Sequence, residues 1–305
     1  MTGDVSILPD APDWFRRALA VPFTDGDVEV DGASVHYVAW GETGRRGLVF
    51  VHGGGAHAHW WTHVAASFAG EFRVVAVDLT GHGDSDHRDE YDLEQWTREV
   101  LAAADDAGID GYPVIVGHSM GGFVTIAAAS LHPAKVAGIV VVDSPVTEPD
   151  PEVESARLKE AFFRAPRPWA SIEDAVAKFR TVPAQAHYLD YVRDHVARRS
   201  LRRVSDGYEW KFDRRIFEQF QGQIRGVALP YLEDLICRFA LLRSEHGLVT
   251  DDIGASMFEA TGRVAPVFVL PEAGHHPMLD QPLILLTALR ALLADWDHSE
   301  PHRRR

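Results

Sequence analysis

The chain has 305 residues, 46% of them hydrophobic, enough to bury a large core either as one domain with an insertion or as two domains. A formal charge of -15 excludes a nucleic-acid or anionic-membrane surface as the main partner, because such surfaces are held by Lys and Arg replacing counterions, and it leaves small molecules as the expected ligands. The single cysteine, Cys237, excludes an internal disulfide and leads to the expectation of a cytoplasmic protein.

The N-terminal stretch MTGDVSILPDAPDWFRRALA has an early acid and no continuous apolar run, so no signal peptide is expected. No apolar run reaches the roughly eighteen residues that a membrane span requires. β-branched runs predict strands at VEVDG (28–32), SVHYVAW (34–40), GLVFVHG (47–53) and RVVAVDL (73–79). Further strands follow at PVIVGHS (113–119), VAGIVVVD (136–143), FALLRS (239–244) and PVFVLPE (266–272). The first two are read as a hairpin turning at Asp31-Gly32. SMGGFVTIAAASLHP has the spacing of a helix stopped at His132-Pro133, which completes a βαβ unit. This alternation is that of a mostly parallel sheet with helices on both faces.

From Pro145 to Pro230 the strand pattern lapses, and helical stretches are expected at Glu154 to Phe163, Ile172 to Phe179 and Ala184 to Arg199. The organisation read from this is a core over 1–144, a helical insertion over 145–230 and the rest of the core over 231–305. Aromatic residues of the insertion include Phe162, Phe163, Trp169, Tyr188, Tyr191, Trp210 and Phe217. They are expected mainly to hold short helices together, and as a group they favour an apolar or aromatic substrate.

The strongest chemical signal is Gly117-His118-Ser119-Met120-Gly121-Gly122, between a β-branched strand and a small-residue helix. Glycines two residues to either side of Ser119 let the backbone turn sharply and expose the hydroxyl at a helix N-terminus, where developing negative charge is favoured. The cluster His57-Ala58-His59-Trp60-Trp61-Thr62-His63 invites a metal reading. It lacks the Asp-His of a zinc-hydrolase pattern, so no metal and no cofactor is expected.

With these motifs the chain resembles the α/β-hydrolase superfamily over nearly its whole length. His52-Gly53-Gly54-Gly55 after the third strand is similar to that family's oxyanion loop. Asp78-Leu79-Thr80-Gly81-His82-Gly83-Asp84-Ser85 resembles its D-x-x-G-x-G-x-S loop, and Ala273-Gly274-His275 stands where it places a histidine. The resemblance implies an eight-stranded α/β-hydrolase fold in which the insertion is a cap. It further implies Ser119 as nucleophile, His275 rather than His276 as base, and the amides of Met120 and Gly54, with Gly55 as alternative, as the oxyanion hole. Gly53, Gly55, Trp60, His118 and His276 are the expected substrate-binding neighbours.

The pattern departs from the family at the triad acid. The usual G-x-x-D after the seventh strand reads Ser244-Glu245-His246-Gly247 here. Members resembling haloalkane dehalogenases and zearalenone lactonases place the acid after the sixth strand, where this chain has Asp143 in VVVDSP. Asp143 is therefore the expected acid, ahead of Glu245 and then Asp251 or Asp252. The expected activity is cleavage of a carboxylic ester or lactone through an acyl-enzyme. A C–C bond hydrolase of meta-cleavage diketones and a non-catalytic binder are the alternatives, and the serine elbow argues against dehalogenase and epoxide hydrolase chemistry.

Overall fold

Neighbouring residues of β3 (Arg46–Val51) serve two different cores. Leu48 and Phe50 pack with Phe15, Trp61 and Leu289, while Val49 and Val51 pack with Trp96, Val100 and Ile126. A strand that alternates between two apolar layers must be covered on both faces, which explains why it reads as a continuous hydrophobic run. A computed structural model of the chain describes residues 7–147, 168–219 and 223–299.

In that structure β1 (Phe23–Val30), β2 (Ala33–Trp40), β3, β4 (Arg73–Val77), β5 (Asp110–His118) and β6 (Gly138–Val142) form most of the main sheet. A short hairpin of β7 (Leu201–Val204) and β8 (Gly207–Trp210) stands apart, and β9 (Arg238–His246) and β10 (Val267–Gly274) complete the sheet. The eight-stranded order is β1-β2-β4-β3-β5-β6-β9-β10. β2 runs antiparallel to β1 and β4, and the remaining pairs are parallel. All eight strands expected for the main sheet are present.

One face of the sheet carries α3 (Leu93–Asp106) and α4 (Met120–Leu131), and the other carries α1 (Asp13–Leu19) and α2 (Thr62–Ala65). α4 is buried along most of its length, so its run of small residues is what allows it to lie between the sheet and a second helix layer. Ligands of open parallel sheets bind beyond the carboxyl ends of the strands, and the chemically distinctive loops of this chain follow β3, β5, β6, β9 and β10.

Between β6 and β9 the described residues hold α5 (Ile172–Ala177), α6 (Asp190–Arg199), the β7–β8 hairpin, α7 (Arg215–Gln219) and α8 (Gln223–Glu233). The expected helix at 154–163 lies outside the described residues. The hairpin differs from the all-helical expectation: Leu201 to Val204 and Gly207 to Trp210 pair across Ser205-Asp206, and an isolated bridge joins Trp169 to Tyr208. Arg202 donates from Nε to Glu209 across the hairpin at 2.7 Å, a pair that charge-rich sequence hides from a hydrophobic-period reading. The boundary expected at 230 falls within α8, whose Ala228 and Leu232 are buried in the same core as α4. The helix stretch beginning at Ala184 starts instead at Asp190, after a segment in which Gln185 accepts the N–H of His276 in the loop that follows β10.

Candidate active site

Ser119 is the only residue between β5 and α4, with φ 53° and ψ -120°. For a non-glycine residue this is a strained conformation, held by the packing around it. A Cβ on Gly117 would lie 2.2 Å from Thr125 Oγ1, and one on Gly121 would lie 2.4 Å from the carbonyl oxygen of His52. The glycines therefore do more than permit the turn, because they let α4 sit directly against β3 and β5. Met120 is the first residue of α4, so its N–H has no acceptor within the helix and stands beside the serine hydroxyl.

The loops after β6, β9 and β10 bring two further groups to the serine. His275 Nε2 lies 3.0 Å from Ser119 Oγ, and His275 Nδ1 lies 2.7 Å from Asp143 Oδ2. With Nδ1–H donating to the carboxylate, Nε2 is the acceptor for the serine hydroxyl. Asp143 and His275 are both buried. Asp143 follows β6 directly, takes φ 47°, and accepts the backbone N–H groups of Ser244, Leu248 and Val249 at 3.1, 2.7 and 3.3 Å. Burial opposes its charge, but His275 and the amides of Leu248 and Ser244 hold the carboxyl below its ordinary value.

The other acids point elsewhere. Glu245 is exposed and accepts the N–H of Glu272 at 2.8 Å. Asp251 pairs with Arg243, and Asp251 and Asp252 form the exposed first turn of α9 (Asp251–Ala260). Of the four carboxylates considered, Asp143 is the one hydrogen-bonded to His275.

The glycine loop after β3 is fixed from below by His52. Its Nδ1–H donates to the carbonyl of Gly53 at 2.7 Å, and its Nε2 accepts the N–H of Leu79 at 3.1 Å. Burial lowers the pKa of this ring, which favours the neutral tautomer that the two bonds require. Gly54 is close to the side chain of Met120, and Gly53 packs against His118 and Ser119. The loop and the start of α4 thus face one another across the serine.

A cavity of about 400 Å³ opens beside this arrangement, lined by Gly54, Gly55, Trp60 and His276 together with residues of the insertion. Two expected substrate contacts are not among its lining residues. Gly53 lies under Ser119, and His118 is buried with Nε2–H donating to the carbonyl of His275 at 2.7 Å. Burial and the neighbouring His275 push the His118 pKa down to about 3, so it supports the histidine loop as a neutral ring. Trp169, Trp210 and Phe217 line the cavity as well. Tyr188 and Tyr191 instead pack into the core beneath it, Tyr191 with its ring centroid 5.0 Å from that of Phe15. Phe162 and Phe163 lie outside the described residues. Phe179, Thr181 and Phe212 are lining residues that the sequence did not single out: Phe179 stands at the end of an expected helix, and Thr181 and Phe212 lie outside the expected helices.

The histidines of the 57–63 cluster are spent on separate protein partners. His57 Nε2–H donates to Ser200 Oγ at 2.8 Å, His59 Nδ1 contacts Thr62 Oγ1 at 3.1 Å, and His63 Nε2–H donates to the carbonyl of Met278 at 2.7 Å. Burial drives all three below their ordinary pKa, His59 to about 3 and His63 to about 4. Among the described residues, three histidines with ligand atoms within 4.8 Å of one another are His118, His275 and His276, and the first two already hold hydrogen bonds through Nε2 and Nδ1 respectively.

A family model described as the alpha/beta hydrolase family matches residues 48–288. The esterase Rv0045c of Mycobacterium tuberculosis is 28% identical over 270 residues, covering 87% of this chain and 88% of that protein. The pimeloyl-[acyl-carrier protein] methyl ester esterase of Edwardsiella ictaluri is 37% identical over a shorter match of 101 residues, 33% of this chain and 37% of the relative. Among solved structures, that of E-2-(acetamidomethylene)succinate hydrolase superposes with a TM-score of 0.77 at 20% identity, over 90% of this chain and 100% of its own.

Proposed function

The chain belongs to the α/β-hydrolase family, and from that premise we propose that it is a carboxylesterase-like serine hydrolase cleaving a carboxylic ester or lactone of a small apolar or aromatic substrate through an acyl-enzyme. The observation that most supports this is the continuous relay from Asp143 through His275 to Ser119, at 2.7 and 3.0 Å. Similarity to an esterase over 87% of this chain points the same way.

In the proposed reaction His275 Nε2 takes the hydroxyl proton as Ser119 Oγ attacks the ester carbon. The electron pair of the carbonyl moves to oxygen, and the N–H groups of Met120 and Gly54 receive that oxyanion. Asp143 fixes the ring in the tautomer with Nε2 free and stabilises its charged form. Collapse expels the alcohol, which takes the proton from His275. A water then repeats the sequence on the acyl-enzyme, giving its proton to His275 and its oxygen to the acyl group, and Ser119 leaves reprotonated. The 145–230 insertion is the cap in this scheme, supplying one wall of the cavity.

A fluorophosphonate should add a single label to the protein and none to Ser119→Ala. Equal labelling of the mutant would remove the serine-enzyme assignment. A parallel panel of p-nitrophenyl esters, lactones and a vinylogous diketone, read beside a thermal-shift assay, separates the alternatives. Turnover confined to the diketone would mark a C–C hydrolase, and stabilisation without turnover a binder.

A further inference from the structure

The cavity differs in charge from the chain around it. Acidic residues outnumber Lys and Arg by 45 to 30 in the whole protein, yet among the described residues the Lys, Arg, Asp and Glu side chains on the lining are Lys178, Arg180, Arg202 and Arg214 against Glu209. Arg202 is paired with Glu209, and Lys178 and Arg180 supply the cationic excess. Lys178 and Arg180 are exposed, whereas Trp60 and Phe179 are buried, so the lining passes from an aromatic floor to a positive outer part. Arg180 donates from Nη1 to the carbonyl of Phe179 at 2.6 Å, which ties the guanidinium to the edge of that floor.

The neutral polar groups agree in sign. The indole N–H groups of Trp60 and Trp169, both on the lining, are buried without a hydrogen-bond acceptor among the described residues. An indole nitrogen can only donate, and a buried donor left without an acceptor carries a free-energy cost. Such a cavity suits a ligand that brings acceptors and negative charge. The -15 charge of the whole chain would repel such a ligand from the remaining surface, while a positive, low-dielectric cleft focuses it towards the serine.

We infer that the preferred substrate is an ester or lactone bearing a second, anionic oxygen group, a carboxylate or a phosphate-type oxyanion, which lies towards Lys178 and Arg180 while the apolar part rests on Trp60 and Phe179. This inference rests on the proposed serine hydrolase activity and specifies its substrate class.

The test compares charged and neutral substrates of matched length. Mono-p-nitrophenyl adipate against p-nitrophenyl hexanoate places the charge on the acyl side, and 4-(acetoxymethyl)benzoate against benzyl acetate places it on the alcohol side. A p-nitrophenyl ester with a terminal phosphonate distinguishes phosphate-type anions from carboxylates. In at least one arm kcat/KM should favour the anion by on the order of tenfold, a preference that shrinks as ionic strength rises. The double variant Lys178→Gln/Arg180→Gln should bring that ratio close to one, whereas Lys135→Gln, which removes an exposed charge paired with Asp105 on another part of the surface, should leave it as in wild type. Ratios near or below one in every arm, with neutral esters still turned over, would overturn the anionic-substrate inference alone. No turnover of any ester, together with fluorophosphonate labelling that survives Ser119→Ala, would remove the underlying activity instead.

Discussion

The carboxylate of Asp143 fills the space that a side chain on Gly247 would need. A Cβ at Gly247 would lie 2.2 Å from Asp143 Oδ2 and 2.5 Å from Cγ. Gly247 is therefore the complement of an acid delivered from another strand, and the two positions form one unit. Gly247→Ala should displace the carboxylate from His275, lowering kcat by about 10²-fold through misplacement of the relay and costing about 1–3 kcal/mol of stability through overpacking. In an Asp143→Gly background the same substitution should add little further loss. Steady-state kinetics and denaturant melts of the four proteins measure this coupling, and full additivity would show that the two residues act separately.

Removing the charge of Asp143 without its volume isolates its chemistry. Asp143→Asn should fold and lower kcat by about 10⁴, the loss seen when a serine-hydrolase histidine loses the carboxylate that sets its tautomer. Glu245→Gln should retain near wild-type kcat, because Glu245 is exposed and caps the N–H of Glu272. Collapse in the Glu245 variant with normal turnover in the Asp143 variant would reverse the assignment.

The core of this geometry was legible from sequence because its signals are local. Ser119 stands between a β-branched strand and a small-residue helix, and His52 to Gly55 directly follow a buried strand, so period and glycine spacing located both. Asp143 was harder to assign, since an Asp-Ser-Pro turn reads equally well as an Asx turn. Only pairing across 132 residues with His275 separates the two possibilities. The insertion was least legible. Its hairpin is held by a charged cross-strand pair and its cavity wall includes Thr181 and Phe212 outside the expected helices, positions that carry no periodic signal.

Gln185 links that insertion to the histidine loop. Its Oε1 accepts the backbone N–H of His276 at 2.9 Å, and nearby the N–H of Leu189 donates to the carbonyl of Leu279. Gln185→Leu would leave a partly buried N–H beside His275 without its acceptor, a loss of about 1–3 kcal/mol. If Gln185 positions the loop, kcat should fall by about tenfold or more with little change in KM, and Gln185→Glu, which keeps the acceptor, should recover most of it. A rise in KM alone would make Gln185 a substrate contact instead.

A buried charge pair, His36 with Asp78, supports the loop before the elbow and gives stability a basic limit. His36 Nδ1 lies 2.8 Å from Asp78 Oδ2, and Asp78 also accepts the N–H groups of Ala58 and Asp84 at 2.6 and 2.9 Å. Burial opposes the charge of His36, but the hydrogen bond and attraction of Asp78, helped by Asp84 and Asp27, raise its pKa from 6.5 to about 9. Because the folded value exceeds the unfolded one, the proton is bound more tightly in the folded state. The stabilisation is fully present below pH 6.5 and is lost as pH rises through about 9. A shift of that size corresponds to about 3 kcal/mol at most. Wild type should therefore melt several degrees higher than His36→Gln near pH 6, and the difference should narrow steadily towards pH 9.5. A gap that stays constant across this range would show that His36 contributes packing rather than charge.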